Sequence, residues 1–239
     1  MNQTLYKEIN IPPLLNPESI RSLSEQITSA ENSEVRFLIL KGSAEIFCKG
    51  LDLKWVATNE RGDYMKEMQE YGEFLKKLQT GKCISIAVVS GEVSGGGMGI
   101  VCACDHVIST ESATFSLPEG LLGLIPGMIL PSLLNRISPL RIKKMVLTGQ
   151  KYPAAKAYEW EIADDVTKAD DLDSAITKAI SSMKSCKREP VGDIKKLLYT
   201  SNINKDELAL LGMKILNAKL NEPEIRERLQ DILEFMDDE

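Results

Sequence analysis

The chain has 239 residues, 43% of them hydrophobic, and a net charge of −6. That is enough apolar material for one sizeable core, and it gives no basic footprint for nucleic acid. No apolar run reaches the roughly 20 residues that span a bilayer, and Met1-Asn2-Gln3-Thr4 lacks the basic-then-apolar opening of a secretory signal; a cytoplasmic protein is expected. The five cysteines are Cys48, Cys83, Cys102, Cys104 and Cys186. An odd count without a signal reads as reduced thiols. Cys102-Ala103-Cys104 has no second cysteine pair, and His106 is the sole histidine. These cysteines therefore read as small buried hydrophobes rather than half of a zinc site, and no metal is expected.

In chain order, Asn16-Pro17-Glu18 signals a helix start, a capping side chain followed by proline at the first helical position. This helix is predicted to run to about Ala30. Val35-Arg36-Phe37-Leu38-Ile39-Leu40 reads as a buried strand entering the loop 41–52. A polar helical stretch covers 62–79. Ile84-Ser85-Ile86-Ala87-Val88-Val89 is a second strand and leads into a glycine run. Residues 98–104 suit a short buried helix, and 105–108 a third strand. Strands alternating with helices predict an α/β core with parallel pairing. After Gly127 the pattern turns helical, over 128–137, 140–148, 154–161, 172–186, 193–198, 205–219 and 223–236. Residues 1–138 are expected to form the α/β core, with its strands ending near Pro139. Residues 139–239 are expected to form a helical region serving as lid and oligomer surface.

Three segments carry candidate chemistry. Gly95-Gly96-Gly97 follows a strand and opens a short helix, so its N–H groups stand at a helix N-terminus. Glycine there lets a ligand oxygen approach the backbone; read alone, the run is also compatible with a tight strand-to-helix turn. Neither a G-x-G-x-x-G with its acidic partner nor a Walker A lysine is present. Phe47-Cys48-Lys49-Gly50-Leu51-Asp52 likewise follows a strand and bends at a glycine. Paired with the glycine run, it offers a second N–H, from Leu51, to the same oxygen. Two such donors in a dry site make an oxyanion hole, where one donor is worth ~10²–10³ in rate. Glu119 sits among Leu117, Pro118, Gly120, Leu121 and Leu122. Such neighbours desolvate a carboxylate and raise its pKa toward a working range; a solvated turn glutamate is the plain alternative.

These segments, in this order, resemble the crotonase (enoyl-CoA hydratase/isomerase) superfamily. The resemblance extends from about Leu14 to Asp165 and includes Leu147-Thr148-Gly149-Gln150 and the helix that follows, with Glu161-Ile162-Ala163 where the family usually has glycine-leucine-valine. It implies a crotonase spiral of β-β-α units, trimers or dimers of trimers, and acyl-thioester substrates. It also puts the oxyanion-hole positions on Leu51 and Gly96 and one catalytic carboxylate on Glu119. Cys48, Gly50, Gly95, Gly97, Leu124 and Pro126 are expected around the substrate. No cofactor is implied beyond the coenzyme A or phosphopantetheine that carries the acyl group.

Two departures stand out. The family's hydratases carry a second glutamate where this chain has Gly99, and 6–11 is too short for the usual opening β-hairpin. Leu78-Gln79-Thr80-Gly81, Gly99, Phe115-Ser116-Leu117-Pro118-Glu119 and Asn221-Glu222-Pro223 look like the dehydratase of polyketide β-branching cassettes. That enzyme type removes water from a 3-hydroxy-3-methylglutaryl group on an acyl carrier protein, giving 3-methylglutaconyl. An acidic carrier would dock on a local basic patch that net charge hides. An enoyl-CoA isomerase or hydratase acting on a small acyl-CoA, and a catalytically silent scaffold subunit, are the alternatives. Asp52 is expected to hold its loop and His106 to be structural. Tyr64, Tyr71 and Trp55 are read as pocket or helix-face residues. Lys54, Lys66 and Arg61 are read as solvated charges or phosphate contacts.

Overall fold

A computed structural model describes residues 5–58, 62–201 and 204–237. Two sheets form the frame. The larger has the order β1 (Tyr6–Asn10), β2 (Phe37–Lys41), β4 (Ile84–Val89), β6 (His106–Thr110) and β9 (Asp165–Thr167), every pair parallel. The smaller has the order β3 (Ile46–Cys48), β5 (Glu92–Ser94), β7 (Thr114–Ser116) and β8 (Tyr152–Pro153). Its last pair is antiparallel. The chain winds as a spiral: β2 then β3, β4 then β5, β6 then β7, the first of each pair in the large sheet and the second in the small one.

Strand β4 shows why the large sheet is parallel and hidden. All six of its residues are buried. Ala87 and Val89 join one core cluster, while Ile84, Ile86 and Val88 join another on the opposite face. A continuous apolar run is what a strand covered on both faces requires. One face is covered by α1 (Pro17–Glu31) and α3 (Met65–Thr80), the other by α8 (Leu172–Met183), through Ile176, Ala179 and Ile180.

Helix α1 starts where the sequence puts its cap. Asn16 Oδ1 accepts from the Ser19 N–H at 2.9 Å, and Ser19 Oγ accepts in return from the Asn16 N–H at 3.0 Å. Such a cap is worth about 1 kcal/mol. The helix buries Ile20, Leu23, Ile27 and Ala30 at helical spacing. Helix α4 (Gly96–Ala103) is apolar all round and enclosed, seven of its eight residues being buried.

Three expectations need correction. The strands do not end near Pro139: β8 and β9 come from beyond it. Both are only two or three residues long, too short to show a period. The helix expected over 128–137 shrinks to α5 (Leu130–Leu133), a single turn with Pro131 inside it. The helix expected over 193–198 is longer and forms α9 (Arg188–Thr200). Among the described residues the opening segment forms β1, an edge strand parallel to β2.

The remaining helices are α2 (Leu53–Thr58), α6 (Pro139–Thr148), α7 (Ala154–Glu159), α10 (Lys205–Leu220) and α11 (Pro223–Asp237). Helices α10 and α11 join α2 and α3 in a third cluster with Val56, Tyr64, Met68, Leu124, Met213, Leu216, Leu220, Ile225 and Leu229. Gly127 and Gly212 let α10 approach at backbone distance, since a Cβ built on Gly212 would lie 2.1 Å from the Gly127 carbonyl oxygen. A partly buried ion pair ties α9 to the frame. Lys195 Nζ meets Asp105 Oδ2 at 2.7 Å and the Cys83 carbonyl at 3.0 Å. Among the described residues no helix is long and apolar enough to cross a membrane.

Candidate active site

The site forms where the spiral turns twice at the same end. Strand β3 runs into Lys49-Gly50-Leu51, and β5 runs into Gly95-Gly96 at the start of α4. The two bends touch through glycine. Gly50 has φ +89°, and a Cβ built on it would lie 2.4 Å from the Gly96 nitrogen. An L side chain there meets both a strained backbone and a fixed atom. Gly95, also at positive φ, caps α4 without a side chain.

Leu51 is held from its far side. It forms a parallel bridge with Leu15, in which the Leu15 N–H donates to the Gly50 carbonyl at 2.7 Å and the Asp52 N–H to the Leu15 carbonyl at 2.9 Å. Neither the Leu51 N–H nor the Gly96 N–H donates to any backbone or side-chain acceptor among the described residues. Asp52 fixes the next turn, its Oδ1 accepting from the Lys54 and Trp55 N–H groups at 3.0 and 3.2 Å.

A cavity of about 110 Å³ opens on both bends. Its walls include Leu51, Gly95, Gly96, Leu124, Pro126 and Glu119. Glu119 opens a single 3₁₀ turn, Glu119–Leu122, after Pro118. Its Oε2 is buried with no hydrogen-bond partner. Burial pushes the carboxyl up from 4.5 to about 7, and its own backbone amide offsets only part of that rise. A buried carboxyl oxygen without a partner is costly to keep, and such cost is characteristic of working sites. Among the described residues Glu119 is the one acid on the cavity wall.

Cys48, Gly50 and Gly97 stand one layer behind the wall. A Cβ built on Gly97 would lie 2.1 Å from the Cys48 carbonyl oxygen, so these residues set the approach of β3 to α4. The Cys48 thiol is fully buried and pushed up to about 12, as are Cys102 and Cys104. They are inert as nucleophiles. The described residues hold no cluster able to bind a metal. His106 is held by Asp165 at 2.9 Å, away from the cavity. Tyr71 lines the cavity, while Trp55 and Tyr64 stack edge-to-face at 5.6 Å beside it. Lys54 and Lys66 do not line it, and Arg61 lies outside the described residues.

Two features escape sequence reasoning. The Tyr71 hydroxyl donates to the Gly96 carbonyl at 2.6 Å, locking the peptide next to the free amide. Its only sequence signal is membership of the apolar face of α3, shared with any core residue. The second is Ile129. A Cβ built on Gly99 would lie 2.5 Å from Ile129 Cγ2 and 3.2 Å from the Tyr71 hydroxyl. The space beside Gly99 is occupied, so a side chain there has nowhere to go.

A larger polar groove of about 690 Å³ lies elsewhere, lined by Arg136, Lys195 and Lys205. Asp164, Asp105 and Asn135 already engage these cations. It lacks the free amides, and the one acid in its lining without a partner, Glu161, is exposed to solvent.

The enoyl-CoA hydratase/isomerase family model matches residues 13–234. The chain belongs to this family, the crotonase family. The bacillaene synthase dehydratase PksH of Bacillus subtilis is 34% identical over 152 residues, 63% of this chain and 59% of PksH. The carnitinyl-CoA dehydratase of Proteus mirabilis is 34% identical over 149 residues, 61% of this chain and 56% of that protein. The matched stretch thus spans less than two thirds of these relatives. The crystal structure of PksH from Bacillus subtilis superposes with a TM-score of 0.88 at 23% identity, over 98% of this chain and 95% of that one, a likeness of fold.

Proposed function

We propose that this crotonase is a dehydratase that removes water from a 3-hydroxy-3-methylglutaryl thioester on an acyl carrier protein, giving 3-methylglutaconyl. The observation that carries this reading is Glu119 Oε2, buried without a hydrogen-bond partner, in one cavity with Leu51 and Gly96, whose amides have no acceptor among the described residues. The thioester oxygen accepts from both amides. Glu119 takes the α-proton, and the electron pair moves to that oxygen as an enolate, which the two donors stabilise. The enolate collapses, the new Cα–Cβ double bond forms and the β-hydroxyl leaves. Glu119 returns its proton to the departing oxygen, so one water is released and the acid is restored. A pKa near 7 suits a group that must be base and then acid in one turnover.

The blocked space beside Gly99 supports a one-acid mechanism over hydration by two carboxylates. It equally suits an isomerase, in which one acid moves a proton between carbons. Two relatives named as dehydratases favour water loss. No cofactor is needed beyond the pantetheine arm of the carrier. Exposed Leu140, Leu147, Leu197 and Leu198 leave apolar surface for a trimer of such chains, in the cytoplasm. The decisive experiment incubates purified protein with the 3-hydroxy-3-methylglutaryl carrier protein and reads its mass. Loss of one water is expected. Intact hydroxyacyl carrier, with double-bond migration in an enoyl-CoA instead, establishes the isomerase.

A further inference from the structure

Lys49 stands immediately before Gly50 and is pinned by its backbone. Its N–H donates to the Pro13 carbonyl at 2.7 Å, and its carbonyl accepts from Ser94 Oγ at 3.2 Å. Across from it lies Gly95. A Cβ built on Gly95 would be 3.4 Å from the Lys49 carbonyl oxygen and 3.7 Å from Glu119 Oε1. The root of this lysine is therefore beside the reacting acid. Among the described residues lining the cavity it is the one cation; the rest of the wall, Glu119 apart, is aliphatic residues, prolines, glycines, Met128 and Tyr71.

Its ammonium rests on Glu92 at 3.6 Å, and Glu92 is also paired with Lys151 at 3.1 Å. Two lysines share one carboxylate. Lys49 can leave without orphaning Glu92, because Lys151 remains on it. The Lys49 side chain is 44% exposed, and such pairs hold by at most about 1 kcal/mol. The four-carbon stem lets the ammonium swing from β5 to the cavity mouth.

We propose that Lys49 is the specificity residue for a dicarboxylic acyl group, receiving its distal carboxylate while the thioester oxygen lies on the Leu51 and Gly96 amides. This rests on the dehydratase reading above. A 3-hydroxy-3-methylglutaryl group brings a second negative charge into a cavity that already holds Glu119. Two carboxylates so close repel unless a cation stands between them or beside the newcomer. The distal carboxylate lies just past the carbon that loses the hydroxyl, hence next to Glu119 and within reach of Lys49. The phosphate of a carrier arm lies at the far end of the pantetheine and is not a match for this position.

The test uses pantetheine thioesters of 3-hydroxy-3-methylglutarate and 3-hydroxy-3-methylbutyrate, which differ in the carboxylate alone. Lys49→Met lowers kcat/KM for the diacid about 10- to 100-fold, the worth of one charge-assisted hydrogen bond, and leaves the monoacid within about twofold. Lys49→Arg recovers most of the loss. Binding of glutaryl- and butyryl-pantetheine, which have no hydroxyl to lose, reads the same contact without chemistry: Lys49→Met weakens the glutaryl compound alone. Equal loss on both acyl groups, no loss on either, or a loss seen only when the arm carries its phosphate overturns the assignment. Lys49-dependent glutaryl binding by a protein that dehydrates neither hydroxyacyl compound overturns the dehydratase reading and leaves the carboxylate contact standing.

Discussion

Replacing Glu119 by glutamine separates activity from stability in opposite directions. In the unfolded chain this carboxyl titrates near 4.5, and in the fold near 7. Between those values the folded protein holds a proton that the unfolded chain has released. Stability therefore falls as pH rises through that window, and the full cost is present above about pH 7. The gap corresponds to at most about 3 kcal/mol. Glutamine keeps the shape and never ionises. Glu119→Gln is thus equal to the parent in stability near pH 4 and up to about 3 kcal/mol more stable near pH 8. Its turnover falls ~10²–10⁴-fold, since the base is gone. In the parent, turnover rises with pH through about 7 as Glu119 ionises. Urea unfolding of both proteins across this pH range, with turnover measured alongside, checks each arm. A stability difference that does not change with pH, or a variant that retains its rate, refutes the argument.

Gly50→Ala combines positive φ with a Cβ 2.4 Å from the Gly96 nitrogen; it should lose about 2–4 kcal/mol of stability and most of its turnover together, seen by thermal unfolding and product formation. Gly99→Ala should lose about 1–3 kcal/mol by overpacking against Ile129, and adding Ile129→Ala should recover part of it, which a double-mutant cycle in urea measures. Lys195→Met removes a buried cation from a partly exposed Asp105 that keeps its Ser85 donors, and should cost about 1–3 kcal/mol while leaving KM unchanged in the protein that still folds.

The parts of the site built by backbone rule were legible. Gly95-Gly96-Gly97 announces a strand-to-helix turn because only glycine tolerates the φ of +50° at the cap. Glu119 announces itself by being an acid in an apolar run. The long helices follow from their apolar periods, and the strands β2, β4 and β6 from short apolar runs. What was hidden depends on contacts far apart in sequence. Tyr71 reaches Gly96 from another helix, and Ile129 fills the space beside Gly99. Strands β8 and β9 are too short to carry a pattern, and they exist because neighbouring strands offer them an edge. Cys48, Gly50 and Gly97, which the sequence also suggests as substrate neighbours, are not among the residues that line the cavity. In the structure Gly50 and Gly97 bring two chain segments within backbone contact, with Cys48 buried against Gly97.

Leu216 on α10 closes one side of the cavity, while α10 itself lies against the Gly127 backbone and α11 against Gly123. The acid and both amides come from earlier turns of the spiral. Leu216 is the one lining residue that α10 supplies; the rest of the described wall lies between Leu15 and Ile129. A chain ending short of α10 therefore already carries the proposed acid, both amides and most of the surface around them, and what the late helix adds is closure on a single side.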